Sequence, residues 1–346
     1  MTQDTQNTRV GVNPTLYKML GMLRGMITAR AVHVAAKFRI ADLLKDDTKS
    51  ITELAESSHT NPVALHRLLS ALASTGVFEE VETGHFKNTP LSYYLRSDTS
   101  DSLLDAALYW GSDWQWEQWG ALDYTIETGQ RAFDHLFHMP IWDYLEQHPE
   151  DERIFSSGLT SFSRSLVPLI VQSYDFSGLH TVVDVGGGEG DLLVELLQHY
   201  PSLQGVLFER PTMLSVAHDH IANAHLLNRC DLMAGDFFQR VPQGMDAYIV
   251  REVLHDWDEQ HCIDILQSCH KAMRPDSRLL VVEHIAHPDD KRSFTKFLGL
   301  QMMLEQEGHE RTEDELRKIH EAAGFRIQRI IPIPEPTTTI IESIPV

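Results

Sequence analysis

Cysteines are scarce in this 346-residue chain: Cys230, Cys262 and Cys269 are the three present, and no C-x-x-C pair occurs. Such a small and uneven number of cysteines argues against a disulfide framework or a structural zinc site and is typical of a protein in a reducing compartment. Unbroken runs of about 18 apolar residues, which a transmembrane helix requires, are also missing. With 42% hydrophobic and 23% charged residues, the sequence predicts a soluble, cytoplasmic protein with no membrane partner.

Positive charge is the second shortage. The chain has 29 Lys and Arg residues against 50 Asp and Glu residues, a net charge of −21. The first 100 residues carry 11 basic and 10 acidic residues, so the remainder, with 18 basic and 40 acidic residues, holds almost all of the negative charge. Binding to phosphate backbones requires clustered Lys and Arg, so we expect no nucleic-acid partner.

The first long helix is predicted over residues 15–38, where apolar residues recur at helical spacing. Apolar residues occupy both faces of this helix, so it must be covered twice, either by its own domain or by another chain. We favour a helix that forms a homodimer; a buried core helix is the alternative.

A winged-helix pattern follows. A capping box spelled Ser-Ile-Thr-Glu at 50–53 and an Asn-Pro start at 61–62 open two helices, and residues 77–87 predict a hairpin. DNA binding would need basic residues on the second helix, but Arg67 is the one Lys or Arg between 61 and 75, and the hairpin is acidic. We therefore predict a dimerisation domain, with a DNA-binding regulator as the non-enzyme alternative.

The second part of the chain predicts an α/β fold. Residues 102–175 look helical and contain a tryptophan cluster that suits a core or the lining of an aromatic pocket, and from residue 181 strands alternate with helices. Such alternation is typical of a mostly parallel sheet covered on both faces. We predict three regions: a dimerisation domain at 1–100, a helical linker and pocket region at 101–175, and a cofactor-binding domain at 176–346.

A glycine-rich turn marks the cofactor site. Asp184 ends an apolar run, and the glycines that follow read G-x-G-x-G from Gly186 to Gly190 rather than the dinucleotide spelling G-x-G-x-x-G. Glu209 ends the next strand, where it suits ribose hydroxyls. An acidic residue here disfavours a pyrophosphate and suits a cofactor with a sulfonium, such as S-adenosylmethionine.

Two later strand ends carry further candidates. Asp236 suits the exocyclic amine of adenine, and Phe237 suits the face of its ring. The alternative is that these residues pack at the strand end without a ligand. His255 follows the fourth strand of the alternating region, where parallel sheets place their chemistry. A neutral imidazole there suits a general base that removes a hydroxyl proton, which typically gives about 10²–10⁴-fold.

The motifs DVGGGEG, GDFF, VLHDW and GHERT, in this order, resemble those of the S-adenosylmethionine-dependent O-methyltransferases of plant and bacterial secondary metabolism. The resemblance covers almost the whole chain. It implies a Rossmann-like domain with a mostly parallel seven-stranded sheet, an N-terminal winged-helix dimerisation domain, and a small aromatic hydroxylated substrate. It also implies that S-adenosylmethionine is converted to S-adenosyl-L-homocysteine.

The resemblance further implies residue roles. His255 is the general base, and Glu283 and Glu310 orient it. The implied cofactor contacts are Ser163, Asp184, Gly186, Gly188, Glu209, Arg210, Asp236, Phe237, Arg251 and Trp257. The implied substrate contacts are Trp110, Leu159, Phe162, Asp256, Met302 and Met303. Three positions depart from the usual residues, namely Glu209 for Asp, Arg251 for Lys, and Gln301 for an Asp that often lies next to the substrate.

The predicted mechanism is direct in-line methyl transfer to an oxygen without a metal. Asp256 and Asp258 could be considered as metal ligands, but they flank the tryptophan expected at the cofactor. Because the fold does not determine the acceptor atom, N- and S-methylation stay open. Relatives of this fold that use the same cofactor for hydroxylation, decarboxylation or pericyclic reactions are further alternatives.

Overall fold

The computed structural model describes residues 13–286, 295–334 and 338–346. The chain divides into two structural units, Met1–Gly111 and Ser112–Val346. The helical region predicted at 101–175 spans this division.

The first unit is a small winged-helix domain whose helices begin at the predicted caps. Asn13 accepts hydrogen bonds from Thr15 N and Leu16 N, Ser50 and Glu53 form a capping box, and Asn61 caps the helix that follows. Its helices are α1 (Pro14–Lys37), α2 (Ile40–Leu44), α3 (Ile51–Ser58), α4 (Pro62–Ala73), α5 (Pro90–Tyr93) and α6 (Leu104–Trp110), and its strands are β1 (Lys49–Ser50), β2 (Phe78–Glu82) and β3 (His85–Asn88).

The predicted hairpin is antiparallel β2–β3, with β1 as a third strand on β3. One of its acidic residues has a clear structural role, because Glu80 accepts hydrogen bonds from Gly84 N at 2.9 Å, His66 Nε2 at 3.1 Å and Ser70 Oγ at 3.1 Å. The carboxylate therefore ties the hairpin turn to α4.

Helix α1 keeps an apolar face that the described residues do not cover. Seven large apolar side chains along the first 14 residues of this helix are each more than half exposed: Leu16, Tyr17, Met19, Met22, Leu23, Met26 and Ile27. The C-terminal half packs inside the unit, where Ala35 and Ala36 are buried. The expectation that α1 needs more covering than its own domain provides agrees with this exposure.

The second unit begins with six helices, which are α7 (Asp113–Gly120), α8 (Leu122–Thr128), α9 (Ala132–Phe137), α10 (Ile141–Gln147), α11 (Pro149–Ser163) and α12 (Val167–Ser173). No single described helix is both long and apolar enough to cross a membrane. The pair α11 and α12, bent by 49°, meets the length and composition test when the two helices are combined.

A seven-stranded sheet in the order β6-β5-β4-β7-β8-β10-β9 forms the centre of the second unit. Strands β4 to β8 are parallel neighbours, and β9 and β10 are antiparallel, so the predicted mostly parallel sheet is confirmed. The strands are β4 (Thr181–Val185), β5 (Gln204–Glu209), β6 (Cys230–Ala234), β7 (Ala247–Arg251), β8 (Arg278–His284), β9 (Phe325–Pro332) and β10 (Thr338–Pro345).

Successive residues of the strands pack into two different hydrophobic clusters. Val182 of β4 belongs to the cluster that contains the leucines of residues 192–197, in the helix that follows β4, whereas Val183 belongs to the other cluster. This alternation is what a sheet covered on both faces requires. The remaining helices are α13 (Asp191–His199), α14 (Pro211–Asn223), α15 (Glu259–Ala272), α16 (Thr295–Glu305) and α17 (Glu313–Ala322).

Candidate active site

The glycine-rich turn joins β4 to α13 in a conformation that few other residues adopt. Gly186 and Gly188 have φ values of +72° and +59°. A Cβ on Gly186 would meet Val253 Cγ2 at 3.0 Å, whereas the space beside Gly188 is open. Gly188 N donates to Glu209 Oε2 at 3.1 Å, so the predicted ribose carboxylate lies directly against the turn.

Asp184 lies beneath this turn, on β4 itself. It is fully buried, and neither of its carboxylate oxygens has a hydrogen-bond partner among the described residues. Burial raises its pKa from 3.8 to about 6, although the positive charge of Arg251 acts in the opposite direction. Such a carboxylate suits a positively charged ligand.

Aromatic rings lie near the glycine-rich turn, and a Cβ on Gly186 would meet Phe237 Cε1 at 3.6 Å. The Phe237 and Trp257 rings meet edge to face at 6.1 Å, and Trp142 stacks on Trp257 at 6.2 Å. The Arg210 guanidinium lies 5.2 Å from the centre of the Trp142 ring. Asp236 is exposed, and its Oδ1 accepts from the backbone two residues later at 2.8 Å.

The other predicted cofactor contacts also lie in this unit. Arg210 is anchored by Glu152, at 3.0 Å from Nη2 to Oε1. Ser163 is buried on α11, where its hydroxyl donates to Thr160 O at 3.4 Å. Arg251 ends β7, 3.6 Å from Glu252, whose φ of +51° is rare for a residue with a side chain. A strained position of this kind at a strand end is typical of functional sites.

His255 lies in a 3₁₀ turn, Leu254–Asp256, directly after this strand end, and three carboxyl groups face its ring. Nδ1 is 3.3 Å from Glu310 Oε1 and 3.6 Å from Glu283 Oε2, and Nε2 is 3.4 Å from Asp256 Oδ1. The His255 side chain is 16% exposed. The structure thus brings together the three predicted catalytic residues and Asp256.

The electrostatics of the cluster bear on the expectation of a neutral imidazole. Burial disfavours the charged ring, but Asp256, Glu283 and Glu310 outweigh it and raise the pKa of His255 well above 6.5. Burial also raises the pKa of Asp256 to about 7 and that of Glu283 above its usual range. The three carboxyl groups therefore favour the protonated form of the His255 ring, which must lose its proton before the imidazole can act as a base.

The backbone of this turn is held by Glu283 and by Arg311, a residue that the sequence analysis did not single out. Arg311, 3% exposed, donates to Leu254 O at 2.6 Å and to Trp257 O. Glu283 Oε1 accepts from Val253 N at 3.1 Å and from Leu254 N at 2.8 Å. Glu283 therefore faces both the His255 ring and the backbone that carries it. A signal for Arg311 exists in the sequence, because it follows Glu310 in the GHERT motif.

Five of the six predicted substrate contacts lie on three α-helices, and the sixth, Asp256, lies in the 3₁₀ turn. Leu159 and Phe162 are on α11, Met302 and Met303 on α16, and Trp110 on α6 of the first unit, where it is 46% exposed. Leu159 is 43% exposed, whereas Met302 is buried. Gln301 Oε1, at the position of the departure from the usual Asp, accepts a hydrogen bond from the Trp119 indole at 2.8 Å.

Two groups of side chains have spacings that a divalent cation could use. Ligand atoms of His255, Glu283 and Glu310 lie within 4.8 Å of one another, and the same holds for Asp258, His261 and Glu307. Metal independence therefore stays a prediction that a chelator must test.

The residues present fit S-adenosylmethionine. The buried, unpartnered Asp184 carboxylate suits a sulfonium, the open space beside Gly188 admits a ligand, and Glu209 lies at the turn. Phe237 and Trp257 supply aromatic surface on the same side.

Both parts of the chain match known families. A family model described as an O-methyltransferase domain matches residues 119–326, and one described as an O-methyltransferase dimerisation domain matches residues 20–98. The phenazine O-methyltransferase PhzM of Lysobacter antibioticus is 38% identical over 95% of this chain and 96% of its own length. The 8-amino-8-demethylriboflavin N,N-dimethyltransferase of Streptomyces davaonensis is 30% identical over 88% of each chain. The solved structure of LaPhzM has a TM-score of 0.93 and 36% identity, and the match covers 96% of this chain and all of that one.

Proposed function

The chain belongs to the S-adenosylmethionine-dependent O-methyltransferases, and from that premise we propose that it methylates a hydroxyl group of a small aromatic metabolite with His255 as the general base. The observation that carries the proposal is the arrangement around the His255 ring, with two carboxylates at Nδ1 and Asp256 beside Nε2. A histidine held in this way at a strand end beside the cofactor turn is equipped to take a hydroxyl proton.

When bound, the cofactor would supply an electrophilic methyl group at its sulfonium, with S-adenosyl-L-homocysteine as the product. Glu283 and Glu310 orient the imidazole and stabilise the imidazolium that forms when Nε2 accepts the hydroxyl proton. The acceptor oxygen forms its bond to the methyl carbon as the sulfur–carbon bond breaks. Arg311 keeps the 3₁₀ turn in place, so positioning, for which effective molarities correspond to about 7–11 kcal/mol, contributes to the rate.

The acceptor atom is proposed to be oxygen because of the base. A neutral amine needs no deprotonation before it attacks, whereas a phenol does, and His255 with its carboxylates is suited to that step. Similarity alone does not decide this point, because one relative is an N,N-dimethyltransferase. The use of the cofactor for hydroxylation, decarboxylation or a pericyclic reaction would leave these carboxylates without such a role.

The test is incubation with methyl-labelled S-adenosylmethionine and matched acceptors, such as 1-naphthol beside 1-naphthylamine, together with hydroxyindoles and hydroxyphenazines. We expect label in hydroxylated aromatics, with mass spectrometry placing the methyl group on oxygen. Label confined to amines would contradict the proposed acceptor atom, and no label in any hydroxylated aromatic would contradict the proposed function.

The N-terminal unit is proposed to form a homodimer through α1. Its seven exposed apolar side chains form a face that a second copy would bury, and the family model for this region is a dimerisation domain. Light scattering should give the mass of a dimer, and Leu23→Glu with Ile27→Glu should shift it toward the monomer.

Binding to duplex DNA is not expected, because Glu80 and its acidic neighbours occupy the hairpin. A cytoplasmic location stays a prediction.

A further inference from the structure

Glu152, near the start of α11, is a carboxylate buried in the second unit, with an exposed fraction of 4%. Its Oε1 accepts hydrogen bonds from Arg210 Nη2 at 3.0 Å and from Thr212 Oγ1 at 3.1 Å. A carboxylate is rarely buried unless it is paired in this way. Arg210 and Thr212 both follow β5, so Glu152 joins α11 to the end of the strand that carries Glu209.

The Arg210 guanidinium lies between two carboxylates and is paired with one of them. Its Nη2 makes the 3.0 Å hydrogen bond to Glu152, whereas its Nε is 3.7 Å from Glu209 Oε1, which is too long for a hydrogen bond. The guanidinium also lies 5.2 Å from the centre of the Trp142 ring, a distance typical of a cation–π contact. Glu152 and Trp142 therefore hold the guanidinium away from Glu209.

Glu209 uses both of its carboxylate oxygens at the glycine-rich turn. Oε1 accepts from Arg210 N at 2.8 Å, and Oε2 accepts from Gly188 N at 3.1 Å. Each carboxylate oxygen can accept more than one hydrogen bond, so both can still accept from a hydroxyl group. A guanidinium that turned onto Glu209 would take this remaining capacity, because arginine pairs with a carboxylate through two parallel hydrogen bonds.

The charges favour such a turn of the guanidinium once Glu152 is removed. Burial raises the pKa of Glu209 above its usual range, and the negative charge of Glu152 adds to that rise. Hydrogen bonds from Arg210 N and Gly188 N, and the charge of Arg210, act in the opposite direction. Without Glu152, Glu209 would ionise more readily while Arg210 lost the carboxylate with which it is paired. The guanidinium, which stays charged, would then turn to Glu209.

Helix α11 is also held at the cofactor segments by contacts other than this ion pair. Ser157 Oγ donates to Glu189 Oε1 at 3.1 Å, within the glycine-rich turn, and Ser156 Oγ donates to Met213 Sδ at 3.2 Å, after β5. The start of the helix therefore has a defined place beside the end of β5, and the Glu152 carboxylate has a defined place with it.

We propose that Glu152 is a positioning residue for cofactor binding, which keeps the Arg210 guanidinium on the α11 side so that the Glu209 oxygens stay open to the ribose hydroxyls of S-adenosylmethionine. The inference rests on the cofactor and on the predicted ribose contact of Glu209. It is separate from the proposed methyl acceptor and from the role of His255.

The test is calorimetric binding of S-adenosyl-L-homocysteine and of its 2′-deoxyribose analogue, which lacks one hydroxyl group. The wild type should bind the parent ligand about tenfold or more tightly than the analogue, because the analogue cannot make a hydrogen bond to a charged group. In Glu152→Ala this preference should largely disappear, since Arg210 occupies Glu209. In Glu152→Ala combined with Arg210→Ala the preference should return, because the competing guanidinium is absent.

Glu150→Ala is the matched control. Glu150 is exposed in the same first turn of α11, so its replacement removes the same charge from the start of the helix and should keep the preference. Glu152→Gln, whose amide oxygen can still accept from Arg210, should keep part of it. In steady-state kinetics, Glu152→Ala should raise KM for S-adenosylmethionine and leave kcat close to that of the wild type.

Equal weakening of both ligands in Glu152→Ala would show that the residue only packs α11, and would overturn the inference. A preference that stays lost when Arg210 is also replaced would overturn it too, as would a wild type that binds both ligands equally. If Glu152→Ala does not fold, Glu152→Gln with and without Arg210→Ala takes its place. Because no methyl acceptor is present in these measurements, their failure would leave the proposed function to the labelled acceptor panel.

Discussion

Replacement of Asp184 by asparagine should stabilise the protein while weakening its affinity for S-adenosylmethionine. The carboxyl group is fully buried and has no hydrogen-bond partner among the described residues, so its negative charge is unfavourable in the folded state. Asparagine has nearly the same shape and no charge. The expected increase in the free energy of unfolding equals the stability that the folded wild type loses when Asp184 ionises.

The magnitude follows from the raised pKa. A rise from 3.8 to about 6 corresponds to about 3 kcal/mol at 1.36 kcal/mol per pKa unit. Because the folded state holds this proton more tightly than the unfolded chain, the unfolding free energy of the wild type falls as the pH rises from about 4 through about 6. The variant lacks this loss, so the difference between the two proteins should grow to about 3 kcal/mol and then stay constant.

Urea unfolding of both proteins from about pH 4 to about pH 8 measures this difference, in which the contributions of titrating groups that do not interact with Asp184 cancel. Asp231→Asn, at an exposed position of β6, is the control and should show no such rise. A difference between wild type and Asp184→Asn that does not change with pH would refute the reasoning. Calorimetry adds a second readout: the variant should lose more affinity for the sulfonium cofactor than for its uncharged product.

Further predictions concern the catalytic turn. With a hydroxylated acceptor, kcat/KM should rise with pH along a limb above 6.5, because His255 must lose its proton. Glu310→Gln should move that limb to lower pH. A limb that does not move in a pH–rate profile would contradict the assignment of the limb to His255. Arg311→Lys should lower kcat by about tenfold or more, since one ammonium cannot replace the fork that reaches Leu254 O and Trp257 O; wild-type kinetics in the folded variant would remove this positioning role. Activity should persist after dialysis against EDTA, and a loss restored by Mg²⁺ would contradict the predicted metal independence.

The elements that the sequence predicted best are those determined by neighbouring residues. The caps at Ser50 and Asn61 lie at the expected positions because each joins a side chain to backbone two or three residues away. The parallel strands were also predictable, since apolar runs alternate with helices. The candidate catalytic residues were predicted through the resemblance, and the structure places Glu283 and Glu310 beside His255.

The features that the sequence did not predict depend on contacts between distant residues. Gln118 and Glu305 are 187 positions apart, and Arg311 and Leu254 are 57 apart, so no local pattern joins them. The raised pKa of His255 also depends on distant residues. A lone histidine suggests a neutral base, and the pKa rises well above 6.5 because three carboxyl groups approach the ring.

The most direct test of the central claim is the single-turnover rate of methyl transfer by His255→Ala, measured with the best hydroxylated acceptor from the labelled panel. The account predicts a loss of at least about a hundredfold, which is the lower end of general base catalysis. Affinity for S-adenosyl-L-homocysteine should change little, because the cofactor turn does not depend on the imidazole. A rate equal to that of the wild type, with the methyl group on the same oxygen, would contradict the claim that His255 is the base.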